Sequence, residues 1–244
     1  MPRTLLLSAA LILSLLRLAA QNPPAPGFDL AGSDPRAVAL ADAVMEAQGG
    51  RAAWDRTRYL QWQFFGRRMH TWDKYTGDVR IESPGDSMLY LLNINTVKGR
   101  VFQRGTELSD PDSLAKYLRQ GHFFWVNDSY WLFMPFKLKD SGVTLAYAGA
   151  DTLEGRPAEV IELQFKEVGF TPQNKYRVWI DRETQLVSYW AYYAQAADAE
   201  PRIQNPWTDY RRCGELMLSG GRGARGLDRI AVLEHVPPGW FSGQ

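Results

Sequence analysis

Cysteine is almost absent from this chain: Cys213 is the only one in 244 residues. A single thiol forms no internal disulfide, and neither a CxxC redox pair nor a cysteine-ligated zinc cluster can be built around it. The plain role of a small, partly buried apolar residue suits Cys213. Histidine is nearly as scarce. His70, His122 and His235 are the only three, and none stands at the i, i+4 spacing of a helical metal site, so no metal is expected. A dominant charge is missing too. Lys and Arg number 28 against 27 Asp and Glu, which leaves no global field to gather nucleic acid or an anionic membrane surface. No Gly-rich phosphate loop opens a helix either, because "SGGRGARG" (residues 219–226) lacks the Lys-Ser/Thr ending and the preceding strand. No cofactor is expected.

Long apolar runs are confined to the beginning. Residues 5–16 follow Arg3 and lead to the small pair Ala19-Ala20, which reads as a secretory signal peptide over residues 1–20, cut before Gln21. Arg17 interrupts the run, and the stretch is too short and too poorly flanked for a stable membrane span. No Cys stands directly after it to accept a lipid. The expectation is a soluble mature chain, periplasmic or secreted. Residues 21–33 ("QNPPAPGFDLAGS") are rich in Pro and Gly and aperiodic, and read as a flexible leader. A single domain is expected over residues 34–244.

What the chain does have is aromatic side chains, at 13% of residues with nine Trp. They are densest in "FFWVNDSYWLFMPF" (residues 123–136), where eight large apolar side chains cannot all share one face of a short helix or strand. Ser33-Asp34-Pro35 caps a helix whose Val38, Ala41, Val44 and Met45 recur at helical spacing until Gly49-Gly50 stops it. From Tyr59 the period becomes two, with Leu60, Trp62 and Phe64 on one face and Tyr59, Gln61 and Gln63 on the other. Extended runs follow near 79–81, 88–95, 101–103, 143–148, 158–165, 175–181, 186–193 and 229–236, separated by turn residues. This is the pattern of an antiparallel meander. Two helical insertions break it. "SDPDSLAKYLRQG" places Leu114, Tyr117 and Leu118 on one stripe and stops at Gly121, and "NDSYWLFMPF" predicts a separate turn capped by Asn127 or Asp128. "SGGRGARG" predicts a solvated loop, and "RRMHTWDKY" (residues 67–75) a solvated hairpin with a local ion pair or, less simply, a headgroup site.

With the signal-like start, the first helix and the interrupted meander in place, the chain resembles the LolA/LolB-like periplasmic lipoprotein-carrier superfamily. Within it, the resemblance is nearest to an uncharacterised outer-membrane lipoprotein-sorting-like family. The residues that carry it are "EAQGGRAAWDR" (46–56), "YWLFMPFKLKDSGVTLAYAG" (130–149), "LEGRPAEVIELQF" (153–165) and "YRVWIDRETQLV" (176–187). The resemblance implies an α+β fold in which an antiparallel meander curves into an unclosed half-barrel covered by short helices, with an apolar face able to hold an acyl chain.

The candidate ligand-binding residues are therefore Trp62, Phe64, Tyr90 and Leu92 as the floor of a cavity, and Phe124, Trp125, Trp131, Phe133, Met134 and Phe136 as its cover. Each is equally suited to plain core. Three readings stay open. The leading one is a non-catalytic periplasmic carrier for a lipid or lipid-like apolar ligand. A second is a structural or interaction module of the cell envelope, with envelope proteins as partners and a barrel filled by its own side chains. A third is a secreted esterase using Ser87, because "GDSM" (residues 85–88) resembles the start of the Gly-Asp-Ser-Leu hydrolases. "SPGDS" has Pro-Gly turn chemistry to explain the same residues, and Asp228 and His235 are not at the spacing that pattern requires.

Overall fold

The computed structural model describes residues 22–166 and 171–243; the expected signal peptide lies outside them. The architecture is α+β, as expected: helices packed with antiparallel sheets that do not close into a barrel. Among the described residues the α-helices are α1 (Pro35–Ala47), α2 (Gly50–Arg56) and α3 (Pro111–Phe133). Asp34 caps α1 by accepting from the Arg36 and Ala37 backbone N–H groups, with Pro35 at the first helical position.

The strands are divided between two sheets rather than strung along one meander. Strands β1 (Tyr59–Phe64), β2 (Arg68–Asp73), β3 (Asp78–Ser83), β4 (Met88–Asn93), β5 (Lys98–Gln103) and β6 (Thr106–Glu107) pair in sequence. Then β12 (Thr208–Cys213), β13 (Leu216–Arg222) and β14 (Arg225–Leu233) extend the other edge of β1, giving the order β12-β13-β14-β1-β2-β3-β4-β5-β6. The other sheet is a meander of β7 (Val143–Leu153), β8 (Arg156–Phe165), β9 (Lys175–Asp181), β10 (Val187–Tyr193) and β11 (Ile203–Pro206). The chain forms two compact units, each discontinuous in sequence. One combines the chain up to Trp54 with Pro135–Thr208 and holds the five-stranded sheet; the other combines Asp55–Met134 with the chain from Asp209 and holds nearly all of the nine-stranded one.

Three local expectations are corrected. Residues 22–33 are not a free leader. They run along the end of β7, with Ala25 N–H donating to the Lys139 carbonyl, Asp29 N–H to Val143 and Asp34 N–H to Leu145. The Pro residues that suggested flexibility remove donors that this strap does not need. "SGGRGARG" is not a solvated loop: it forms the end of β13, the two-residue turn Gly223-Ala224 and the start of β14, with Arg222 across from Arg225. Gly220 fits because a Cβ there would lie 2.8 Å from the Leu227 carbonyl oxygen. Finally, Gly121 does not end a helix. α3 passes straight through it for 23 residues, because this glycine answers to packing. A Cβ at 121 would come within 2.9 Å of the Tyr90 ring and 3.2 Å of Leu92 Cδ2, so only glycine lets the helix lie this close to β4.

Candidate functional site: the helix-covered face of the nine-stranded sheet

Strand alternation aims Leu60, Trp62 and Phe64 of β1, His70 and Trp72 of β2, Val79 and Ile81 of β3, and Tyr90 and Leu92 of β4 at the same face. α3 lies on that face, touching β3, β4, β5 and β13. The seam is aromatic along its length. Phe124 meets the Tyr90 ring edge-on at 5.9 Å, Trp125 meets Trp72 at 5.3 Å, and Phe133 meets Trp62 at 5.2 Å. Trp131 packs across Phe64 at 6.4 Å and Phe65 at 5.2 Å. These centroid spacings and steep interplanar angles are those of edge-to-face packing.

One polar cluster interrupts the seam. Asp128, in the C-terminal third of α3, is fully buried and accepts from Arg68 Nε at 2.7 Å, from Arg68 Nη2 at 3.0 Å and from His70 Nε2 at 2.8 Å. The carboxylate selects the tautomer with the proton on Nε2. His70 Nδ1 is then a bare acceptor, and it is buried without a hydrogen-bond partner among the described residues. The imidazole lies flat on Trp62 at 4.7 Å, and the Trp62 indole N–H is likewise buried and unpartnered. Burial pushes the His70 pKa below its usual 6.5 in spite of the Asp128 hydrogen bond. Burial raises that of Asp128, but the hydrogen bonds from His70 and Arg68 outweigh it and hold the carboxyl below the usual range. The cluster thus carries one positive and one negative charge, with a neutral imidazole between ring and carboxylate. Arg68 is further placed with its guanidinium carbon 4.1 Å from the Phe124 ring centroid.

The far end of α3 is held by Arg222. Its Nη2 donates to the Trp131 carbonyl at 2.6 Å, one of the last-turn carbonyls a helix leaves unsatisfied, and its Nη1 donates to Ser219 Oγ at 2.8 Å. Burial lowers its pKa to about 9.

The expected site residues are brought together only in part. Trp62, Phe64, Tyr90, Leu92, Phe133 and Met134 are buried, and Phe124, Trp125 and Trp131 are half-buried, all within the unit that holds α3. Phe136 is the exception. The 3-10 turn Met134–Lys137 carries the chain into the other unit, where Phe136 stacks on Trp54 at 4.5 Å. The separate turn expected at Asn127-Asp128 is not formed, because Asp128 is no cap but an interior helical residue whose carboxylate finds side-chain partners instead. "RRMHTWDKY" is correspondingly no solvated hairpin: it supplies β2 and, in Arg68 and His70, the two partners of Asp128 in the buried cluster. Sequence reasoning missed Arg68, His70 and Asp128 as a set. The alternation Arg68, His70, Trp72 onto the face of Trp62 was the available signal.

Ser87 ends a 3-10 turn, Pro84–Asp86, in the left-handed conformation at φ 52°, with its N–H on the Pro84 carbonyl. Asp228 pairs with Gln63 on β14. Three strand spacings of about 4.8 Å separate β14 from β3, so the fold does not bring these two residues together, and "SPGDS" is a turn.

No family model and no curated protein matches the chain. Solved structures resemble it at low identity. A DUF1329 family protein from Desulfovibrio piger is 12% identical with a TM-score of 0.43, covering 84% of this chain and 96% of that one. A putative outer membrane lipoprotein-sorting protein domain from Vibrio parahaemolyticus is 8% identical with a TM-score of 0.38, covering 76% and 88%. MucB is 18% identical with a TM-score of 0.28, covering 84% and 70%. The second bears the description to which the sequence showed its resemblance. Nothing about function is carried over from any of them. Among the described residues no helix is long and apolar enough to cross a membrane.

Proposed function

We propose that this is an exported, non-catalytic binding protein of the cell envelope, and that α3 is the movable cover of a site for a lipid or lipid-like ligand on the face of β1–β4. The observation that carries the reading is the pair of unsatisfied polar atoms beneath the helix, the Trp62 indole N–H and His70 Nδ1. A buried donor or acceptor left unmade costs about 1–3 kcal/mol, and here one of each is carried by the stacked rings of Trp62 and His70 on an otherwise apolar floor. A ligand with a polar group on an apolar body relieves that cost when it enters under α3. The rings supply the apolar contact, and the cluster of Arg68, His70 and Asp128 decides how firmly the cover is shut.

A second reading, an interaction module filled by its own side chains, is favoured by the close packing of Trp62, Tyr90, Leu92 and Phe133 against residues of the same unit. Trp131→Ala separates the two. It deletes a half-buried ring while leaving the carbonyl that Arg222 holds. On the carrier reading the wild type binds a fluorescent fatty acid and the variant binds it about tenfold more weakly, the effect of about 1.4 kcal/mol. On the module reading the wild type binds no probe, the variant loses roughly 3–5 kcal/mol of stability, and its new void takes up small apolar probes. Lipids extracted from freshly purified protein and identified by mass spectrometry supply the natural ligand class.

A further inference from the structure

The opposite face of the nine-stranded sheet is covered by the chain's own C-terminal segment. Arg80 of β3 pairs with Leu91 of β4, and Leu91 with Arg100 of β5, so the three point the same way, away from Tyr90 and α3. Across them lies a compact turn that belongs to no strand, closed by the hydrogen bonds of Trp240 N–H to Pro237 and of Ser242 N–H to Gly239. Arg80 Nη1 donates to the Trp240 carbonyl at 3.3 Å, with its guanidinium 4.4 Å over the Trp240 ring. Arg100 donates to the Ser242 carbonyl, and Phe241 stacks on Tyr59 at 6.4 Å. Gly243 comes down on Leu91 so closely that a Cβ would lie 2.9 Å from Leu91 Cδ1. Both arginines are held in place from the other side, Arg80 by Glu82 at 2.6 Å and Arg100 by Glu107 at 2.5 Å.

Among the described residues, the hydrogen bonds between this cradle and the turn go from an arginine to a main-chain carbonyl, beside ring contacts and the close approach of Gly243 to Leu91. The chain between β14 and the turn makes no strand pairing, and Glu234, His235 and Pro237 along it are exposed. The turn is therefore a docked segment on a tether rather than a continuation of the sheet. We infer that the Arg80–Arg100 cradle is a peptide-docking site, that the chain's Trp240-Phe241 turn fills it in cis, and that its partner in trans is a protein segment of the same chemistry: a turn-forming stretch with adjacent aromatic residues and accessible carbonyls. The tethered turn competes with that segment through its high effective concentration, so the site opens only as often as the tether lifts.

The test uses the full chain with a protease site placed in the exposed tether, cut after folding. The cut protein is expected to keep its circular dichroism spectrum, to lose the tail on dilution, and then to bind a fluorescent peptide of residues 237–244. The uncut chain should bind that peptide at least about tenfold more weakly. Arg80→Gln in the cut protein should weaken peptide binding about tenfold, as should Trp→Ala within the peptide. A cut protein that denatures when its tail leaves would make the segment part of the core and overturn the inference. So would a folded, tail-free protein that binds no peptide, or one whose affinity is the same with Arg80→Gln.

Discussion

Two helices of this molecule carry a buried aspartate in their interior, and they use it differently. In α1, Asp42 pairs with Lys139 and accepts from Asn22 Nδ2 at 2.7 Å, so it ties the helix to the strap of residues 22–33. Its neighbours on the buried stripe are small or flexible: Ala37, Ala41, Val44 and Met45. In α3, Asp128 pairs with Arg68 and His70 inside a seam of large rings. The first arrangement contains no histidine and holds a helix with little to uncover. The second joins a helix to an aromatic seam through a buried imidazole whose pKa burial holds below its usual 6.5. The same device is a fastening in one place and, on the proposed function, an adjustable catch in the other.

The largest expected effect comes from breaking the catch. Asp128→Ala leaves Arg68 with no carboxylate to meet it, and removing one partner of a buried pair costs roughly 3–5 kcal/mol. Asp42→Ala should cost less, about 2–3 kcal/mol, because the Lys139 ammonium keeps a second acceptor in the Asn22 carbonyl. Urea unfolding of both variants checks the order, and equal losses would erase the distinction between the helices.

Acidification separates them next. The groups that face His70 are Asp128 from α3, Arg68 from its own strand and the Trp62 ring from β1. Its folded pKa lies below the unfolded value of 6.5, so the unfolded chain takes up the proton first. The stability this imidazole contributes is complete above about pH 6.5 and declines as pH falls below it, with a slope of up to about 1.4 kcal/mol per pH unit. Hydrogen exchange should show α3 amides losing protection between pH 6.5 and 5 while those of α1 do not. His70→Phe, which keeps a ring on Trp62, should remove that difference.

The smallest effect belongs to the outer contact of α1. Arg36 reaches Glu159 at 3.0 Å and lies 4.0 Å over the Tyr147 ring, but its side chain is 56% exposed. Arg36→Ala should cost less than about 1 kcal/mol by thermal unfolding. A larger loss would mean that the rim, and not Asp42, fastens α1.

Much of the fold was legible in the sequence because period and caps are local. Asp34-Pro35 announced α1, and the alternation from Tyr59 to Phe64 assigned both faces of β1 correctly. The failures share a cause: each residue was read by its usual local habit where a distant partner had overruled it. Gly121 is a helix stop by habit, but Tyr90 and Leu92 require it for close approach. Asp128 is a cap by habit, but Arg68 and His70, far back in the chain, hold it inside a helix. Arg222 in a run of glycines looked solvated, and its actual partners, the Trp131 carbonyl and Ser219, could not be inferred from spacing. The aromatic segment does lie largely on the helix that packs over β1–β4, yet only placement in space could show that Phe136 parts company with Trp131 and Phe133.

The discontinuity of both units has a consequence for how the chain comes to be folded. β1 cannot complete its pairing until β14 arrives, since Gln61 pairs with Ala231, and the strap at Asp29 waits for Val143. Pairings of such long sequence separation form slowly, because loop closure must precede the contacts that reward it. On the export reading, a chain threading outward from its N-terminus would present strand after strand without its final neighbour. It would stay loose enough to pass until almost the last residues were through. Late in such a passage its aromatic strands would be bare, and that interval is when a chaperone would matter most.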